Sequence, residues 1–211
     1  MKARILSAVG ALLLVALSTW AWYWYGYGAQ AASLARSDDP DDRLQAIRIL
    51  REKRNGLARR TLHRLCSDPV THVAVHAVRG IGAMRQEQSE AILLEVIRQP
   101  KRGRLRGEAA AVLGHYDGTD LKLLTDIVRN DPDPDARSGA LKGLARLRNV
   151  KALPALVEAL SDSELKNRAF AIVAIQKVVG VRFMFDPKAA GEVRRRQVAQ
   201  IVSFLSKHKL L

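Results

Sequence analysis

The chain is poor in cysteine, in aromatic residues and in acid. A single cysteine, Cys66, among 211 residues excludes an internal disulfide framework and any multi-cysteine zinc or iron–sulfur site. Aromatic residues make up 5%, and they are unevenly placed: Trp20, Trp22, Tyr23, Trp24, Tyr25 and Tyr27 crowd into one stretch, and no tryptophan follows. A groove that stacks single-stranded nucleic acid needs aromatics along it, and residues 37–211 hold few. Acidic residues number 21 against 35 Lys and Arg, a net charge of +14. That excess invites an anionic partner. The charges are scattered, however. Second-helix positions such as Glu90, Glu95, Lys122, Asp126 and Glu158 are mixed in sign, so nucleic acid is not an expected partner.

Catalytic signatures are also missing. There is no P-loop, no Gly-rich dinucleotide fingerprint and no nucleophile elbow. His72 and His76 stand four apart on one helix, a spacing metal sites use, but no Glu-x-x-His or His-Glu pair accompanies them. His63 and His115 have no Ser or Cys at a suggestive spacing, and Cys66 falls on the apolar face of a helix with Leu62 and Leu65. No catalytic residue, metal ligand or cofactor is therefore expected.

What is present begins with the N-terminus. Met1 to Arg4 is short and basic, and Ile5 to Tyr25 is mostly apolar, with no charge until Arg36. About 21 residues at ~1.5 Å rise match the ~30 Å hydrocarbon core, which predicts one transmembrane helix within residues 1–30. Trp20, Trp22, Tyr23, Trp24, Tyr25 and Tyr27 then form its interfacial belt, since such rings carry a polar tip. The competing reading is a cleaved signal peptide, with Ala16-Leu17-Ser18 or Ala29-Gln30-Ala31 as the site. Lys2 and Arg4 hold the N-terminus in the cytoplasm in both cases. The rest is expected outside it, periplasmic in a bacterial envelope.

After a linker over 31–37 the chain repeats. Asp39-Pro40, Asp68-Pro69, Gln99-Pro100, Asp131-Pro132 and Ser161-Asp162-Ser163 recur roughly thirty residues apart, each followed by two apolar helical patterns. Arg43, His72, Arg106, Arg137 and Lys166 align at one basic position, and Ala46, Val75, Ala109, Ala140 and Ala169 stand three residues later. Ile81-Gly82 and Leu113-Gly114 mark the ends of first helices. A basic residue at a helix start opposes the helix dipole, so it is expected to pair with the Asp of the adjoining turn, as a ladder along the stack.

The pattern Asp-Pro-x-x-Arg-x-x-Ala, with Leu/Ile-Gly downstream, resembles the short HEAT-like repeats. The resemblance covers about residues 37 to 180 and implies an all-α fold, an α-solenoid of about five two-helix units over 38–180. The repeats together with the predicted anchor lead to the expectation of a non-catalytic scaffold or assembly subunit that binds a protein partner in a membrane or envelope complex. The same repeat class occurs in phycobilin lyases, so it further implies, as an alternative, a lyase or isomerase attaching a tetrapyrrole-type chromophore. Such an enzyme works in the cytoplasm, against the exported anchor.

Residues 181–211 break the period. Phe183 and Phe185 are expected to cover the last open core edge as part of a C-terminal cap, or else to form a docking loop, ahead of a final helix around 192–208. Turns within repeats carry Lys53-Arg54, Arg85, His115, Arg148 and Lys151, and turns between repeats are acidic except for Lys101-Arg102-Gly103-Arg104. The candidate partner-binding residues are thus Arg59, Arg60 and Arg64 on the first concave-face helix, Lys101, Arg102 and Arg104, and Phe183 with Phe185. An anionic lipid or polymer on the basic edge is the remaining alternative.

Overall fold

The computed structural model describes Val15, Gly26 and residues 28–116 and 118–211. All regular structure among them is helical. Of the predicted membrane segment, residues 1–30, only Val15, Gly26 and residues 28–30 are described, and its belt, Trp20, Trp22, Tyr23, Trp24, Tyr25 and Tyr27, lies outside the described residues. No helix of the described residues is long and apolar enough to cross a membrane.

The chain divides into two compact units, residues 1–84 and 85–211. The first contains α1, described over residues 28–34, then α2 (Pro40–Lys53), α3 (Gly56–Leu65) and α4 (Thr71–Met84). Asp39 caps α2 by accepting from the Asp41 N–H, with Pro40 at the first turn where its missing N–H costs nothing. Asn55 does the same for α3, accepting from Ala58 at 2.8 Å. Every third or fourth residue then faces inward. Ala46, Ile47 and Leu50 meet Ala58, Leu62 and Leu65, with Ala74, Ala77, Val78 and Ile81 from α4, all buried. Residues 31–37, read from sequence as a linker, are helical through Leu34. Ala31 and Ala35 are small enough to be buried there, and Arg64 of α3 donates to the Ala35 carbonyl at 3.2 Å.

The second unit runs α5 (Glu87–Ile97), α6 (Gly103–Leu113), α7 (Leu121–Asn130), α8 (Pro134–Leu147), α9 (Leu153–Glu158, flanked by short 3-10 turns), α10 (Leu165–Val179) and α11 (Gly191–Lys207). First helices of successive repeats stack on one another: α6 on α8, and α8 on α10. Glycine sets how closely. A Cβ on Gly139 would stand 1.8 Å from the Gly107 carbonyl oxygen, and one on Gly114 would stand 2.5 Å from that of Gly143. Gly114 therefore serves backbone-to-backbone packing. It is not a left-handed cap: its φ is −59°. The left-handed ends of first helices are Arg54, Arg85, Arg148 and Gly180.

Residues 181–190 are pinned in place. Arg168 donates to the Pro187 carbonyl at 2.8 Å, Gln176 to that of Phe183 at 3.4 Å, and the Asp186 N–H donates to Gln197 at 3.1 Å. Phe183 packs edge-on against Phe204 of α11, 5.2 Å between centroids, and both Phe183 and Phe185 are half-buried. These contacts hold the segment against α10 and α11.

Candidate interaction surface

The ladder expected from the sequence is present within each unit. Arg43 Nε donates to Asp68 Oδ2 at 2.7 Å, Arg106 Nη2 to Asp131 Oδ1 at 2.7 Å, and Arg137 Nε to Asp162 Oδ2 at 2.8 Å. In each rung the partner lies 25 residues on, and a second nitrogen meets the other carboxylate oxygen. Both side chains of a rung are nearly buried. The third guanidinium nitrogen explains why arginine is needed. Nη1 donates to two carbonyls of the arginine's own turn: Ser37 and Asp38, Gln99 and Pro100, Asp131 and Pro132. A single planar fork thus closes one turn and bolts it to the next.

This geometry corrects the sequence register at two repeats. In the fifth, the clamp on the Asp162 and Ser163 carbonyls is made by Arg168, not Lys166; Lys166 instead pairs with Asp135 at 2.8 Å. In the second, the place six residues after Asp68 is Ala74, not His72. His72 meets His76 edge-on, 4.6 Å between ring centroids. The third repeat has Gln99 at the aspartate place, 25 residues after Ala74, so the sequence lacks both members of that rung together.

Electrostatics follow the rungs. Hydrogen bonds to Asp68 and to Asp162 raise the affinity of Arg43 and Arg137 for their protons. Burial opposes ionisation of Asp162, but hydrogen bonds from Arg137, the Glu164 N–H and Asn167 outweigh it and hold its carboxyl below the ordinary range. Glu158 is lowered likewise by Arg129, which grips it with two nitrogens at 2.7 and 2.9 Å. Desolvation, then the charges of Arg146 and Arg85, push the His115 imidazole below its usual value, so positive charge converges on that turn.

Open polar clefts lie beside the rungs. One of about 500 Å³ in the first unit is lined by Arg36, Arg43, Arg64, Asp38 and Asp68. One of about 230 Å³ in the second is lined by Arg129, Glu158, Arg137 and Asp162. Of the candidate residues, Arg64 reaches the first cleft; Arg60 is exposed one turn before it, and Arg59 is half-buried. Lys101 and Arg104 are exposed and Arg102 half-buried at the start of α6, where Arg106 alone enters a rung. Arg59, Arg60 and Arg64 belong to the first unit, and Lys101, Arg102, Arg104, Phe183 and Phe185 to the second. Sequence reasoning missed the groove lined by Phe170 and Val173 between α8 and α10. Its only sequence signal was a large ring where the preceding repeat has Gly139.

Paired helices, repeated at near-constant register and bolted at the turns, define the class of α-helical repeat proteins. The HEAT-repeat family model matches residues 30–114 and 121–200, and the chain belongs to that family. No match was found among curated proteins. At this level the chain is a protein-interaction scaffold of HEAT repeats.

Proposed function

We propose that the chain is a non-catalytic scaffold tethered by its N-terminal segment in a membrane. Its repeats stand outside the cytoplasm, where they contact a membrane or envelope protein. The tether rests on the apolar run Ile5 to Tyr25 and the aromatic cluster that ends it. The scaffold reading rests above all on the rungs. Polar groups that in an enzyme converge on a substrate are here bound to one another turn by turn, which makes a stiff display surface of the helices between them. Among the described residues no group of three or more His, Cys, Asp or Glu is placed to hold a metal ion.

The test is purification of the full chain from membranes in mild detergent. Expected results are an intact mass that retains residues 1–31, and a stoichiometric membrane partner that is lost in the R60E/R64E variant. A mature chain lacking residues 1–18 or 1–31 overturns the tether. A copurifying visible chromophore overturns the scaffold in favour of a lyase. Retention that collapses on raising salt to physiological strength overturns it in favour of an anion-binding module.

A further inference from the structure

A groove of about 150 Å³ lies on the first-helix face between α8 and α10, lined by Leu141, Lys142 and Arg146 from α8 and by Phe170, Val173 and Lys177 from α10. Its origin is a register difference. One repeat earlier the place of Phe170 is Gly139, where α6 and α8 meet backbone to backbone. A ring in place of that glycine keeps α10 from making the same contact on α8, and a furrow remains. Val173, at its lip, is 44% exposed. Lys142 lies over the Phe170 ring at 4.6 Å, and Arg146 is tied to the Ala111 carbonyl of α6, so both cations are fixed at the rim. Three cations and no carboxylate line the groove. Its volume accommodates about one large side chain, well below the ~300 Å³ that small-molecule sites begin at.

We infer that this groove receives an acidic segment of a partner protein, one aliphatic or aromatic side chain entering over Phe170 and Val173 while flanking carboxylates meet Arg146 and Lys177. The assignment rests on the scaffold reading and adds a second face and a partner chemistry to it. An apolar floor with a single-sign rim selects for both features at once: the floor rejects a purely polar polyanion, and the rim rejects an uncharged apolar peptide.

The experiment selects random dodecapeptides displayed on phage against the detergent-solubilised full chain, then measures the most enriched peptide by fluorescence anisotropy. Enriched sequences are expected to place Asp or Glu on both sides of Leu, Ile or Phe. The exposed-site variant V173E, checked for unchanged helicity by circular dichroism, should weaken binding by about tenfold or more, as loss of a desolvated anchor does. K177E should weaken it severalfold, and added salt should do the same to the parent protein. Selection of peptides without acidic residues, or binding unchanged in both variants, overturns the inference. So does V173E-sensitive binding to phosphatidylglycerol vesicles in place of peptide, or a V173E-sensitive dimer of the chain. If a stoichiometric membrane partner is retained by V173E and K177E, the scaffold reading stands and the groove proposal falls.

Discussion

Arg137 on α8 and Asp162 at the following turn are joined by two hydrogen bonds, Nε to Oδ2 at 2.8 Å and Nη2 to Oδ1 at 3.0 Å. The same guanidinium also holds the Asp131 and Pro132 carbonyls. Removing it leaves a nearly buried carboxylate and two carbonyls to find other partners. Arg137→Ala is expected to cost about 3 kcal/mol, the lower end for breaking a buried pair. Arg137→Lys should recover less than half, since an ammonium spans neither the carboxylate nor the carbonyl pair. Urea denaturation of both variants against Arg196→Ala, on the exposed side of α11, checks this. Equal losses in all three would contradict it.

Acid should loosen the second unit through Asp162 and Glu158. Both carboxyls are held below their ordinary values in the folded chain. As pH falls through the ordinary carboxylate range, near ~4, the unfolded chain takes up protons first. Stability present above that range is then lost progressively, and fully below the folded values. Denaturation midpoints measured from neutral pH down to about pH 3 should fall less steeply in Asp162→Asn and Glu158→Gln than in the parent.

His115 adds a separate, shallower dependence. Its folded value is lowered, so the neutral ring is favoured by folding. That contribution is whole above the unfolded value near ~6.5 and declines as pH falls through it. His115→Gln should flatten the stability profile between neutral and mildly acidic pH, read from the same midpoints.

The backbone contact of α6 with α8 tolerates no methyl group at Gly139. Gly139→Ala drives a Cβ to 1.8 Å from a carbonyl oxygen, so the helices must separate, at a cost of 1–3 kcal/mol or more by the usual scale of overpacking. Gly118→Ala, with nothing within 4 Å of the added carbon, is the control. It should be neutral or stabilise by about 0.4–1 kcal/mol. Thermal denaturation of the two variants separates them.

Every non-glycine residue with left-handed backbone among the described residues is basic: Arg54, Arg85, Arg148 and Lys209. The conformation costs a side-chain-bearing residue about 1–2 kcal/mol, and helix-dipole pairing at a C-terminus returns about 0.3–1. Arg148→Gly should therefore raise stability by about 1 kcal/mol while Arg148→Ala lowers it slightly. A stability order of Ala above Gly, measured by urea denaturation, would contradict the account.

The helical pairs and three rungs were legible because they depend on local chemistry repeated at fixed spacing. Asp or Asn before a helix, Pro in its first turn and Arg at a constant offset point to caps and to an arginine fork whichever way the repeats later curve. Cys66 was likewise expected on an apolar face and is buried. The carbonyl clamp of the fifth repeat is expected at Lys166 because two basic residues stand close together there. Only the fork's reach to the Asp162 and Ser163 carbonyls distinguishes Arg168. Leu113-Gly114 reads as a helix-end signal, a local property, while the close approach that Gly114 permits is set by the helix facing it.

The amino-acid sequence alone determined the all-helical repeat and the arginines of three rungs, and it alone carries the case for a membrane tether. Those depend on periodicity, capping and the order of apolar and charged residues along the chain. Tertiary structure decided which turns the arginines join, that Phe183 packs on Phe204, and that Phe170 opens a groove where Gly139 had closed one. Each of these depends on the distance between two helices, and that distance is set by side chains on both of them together.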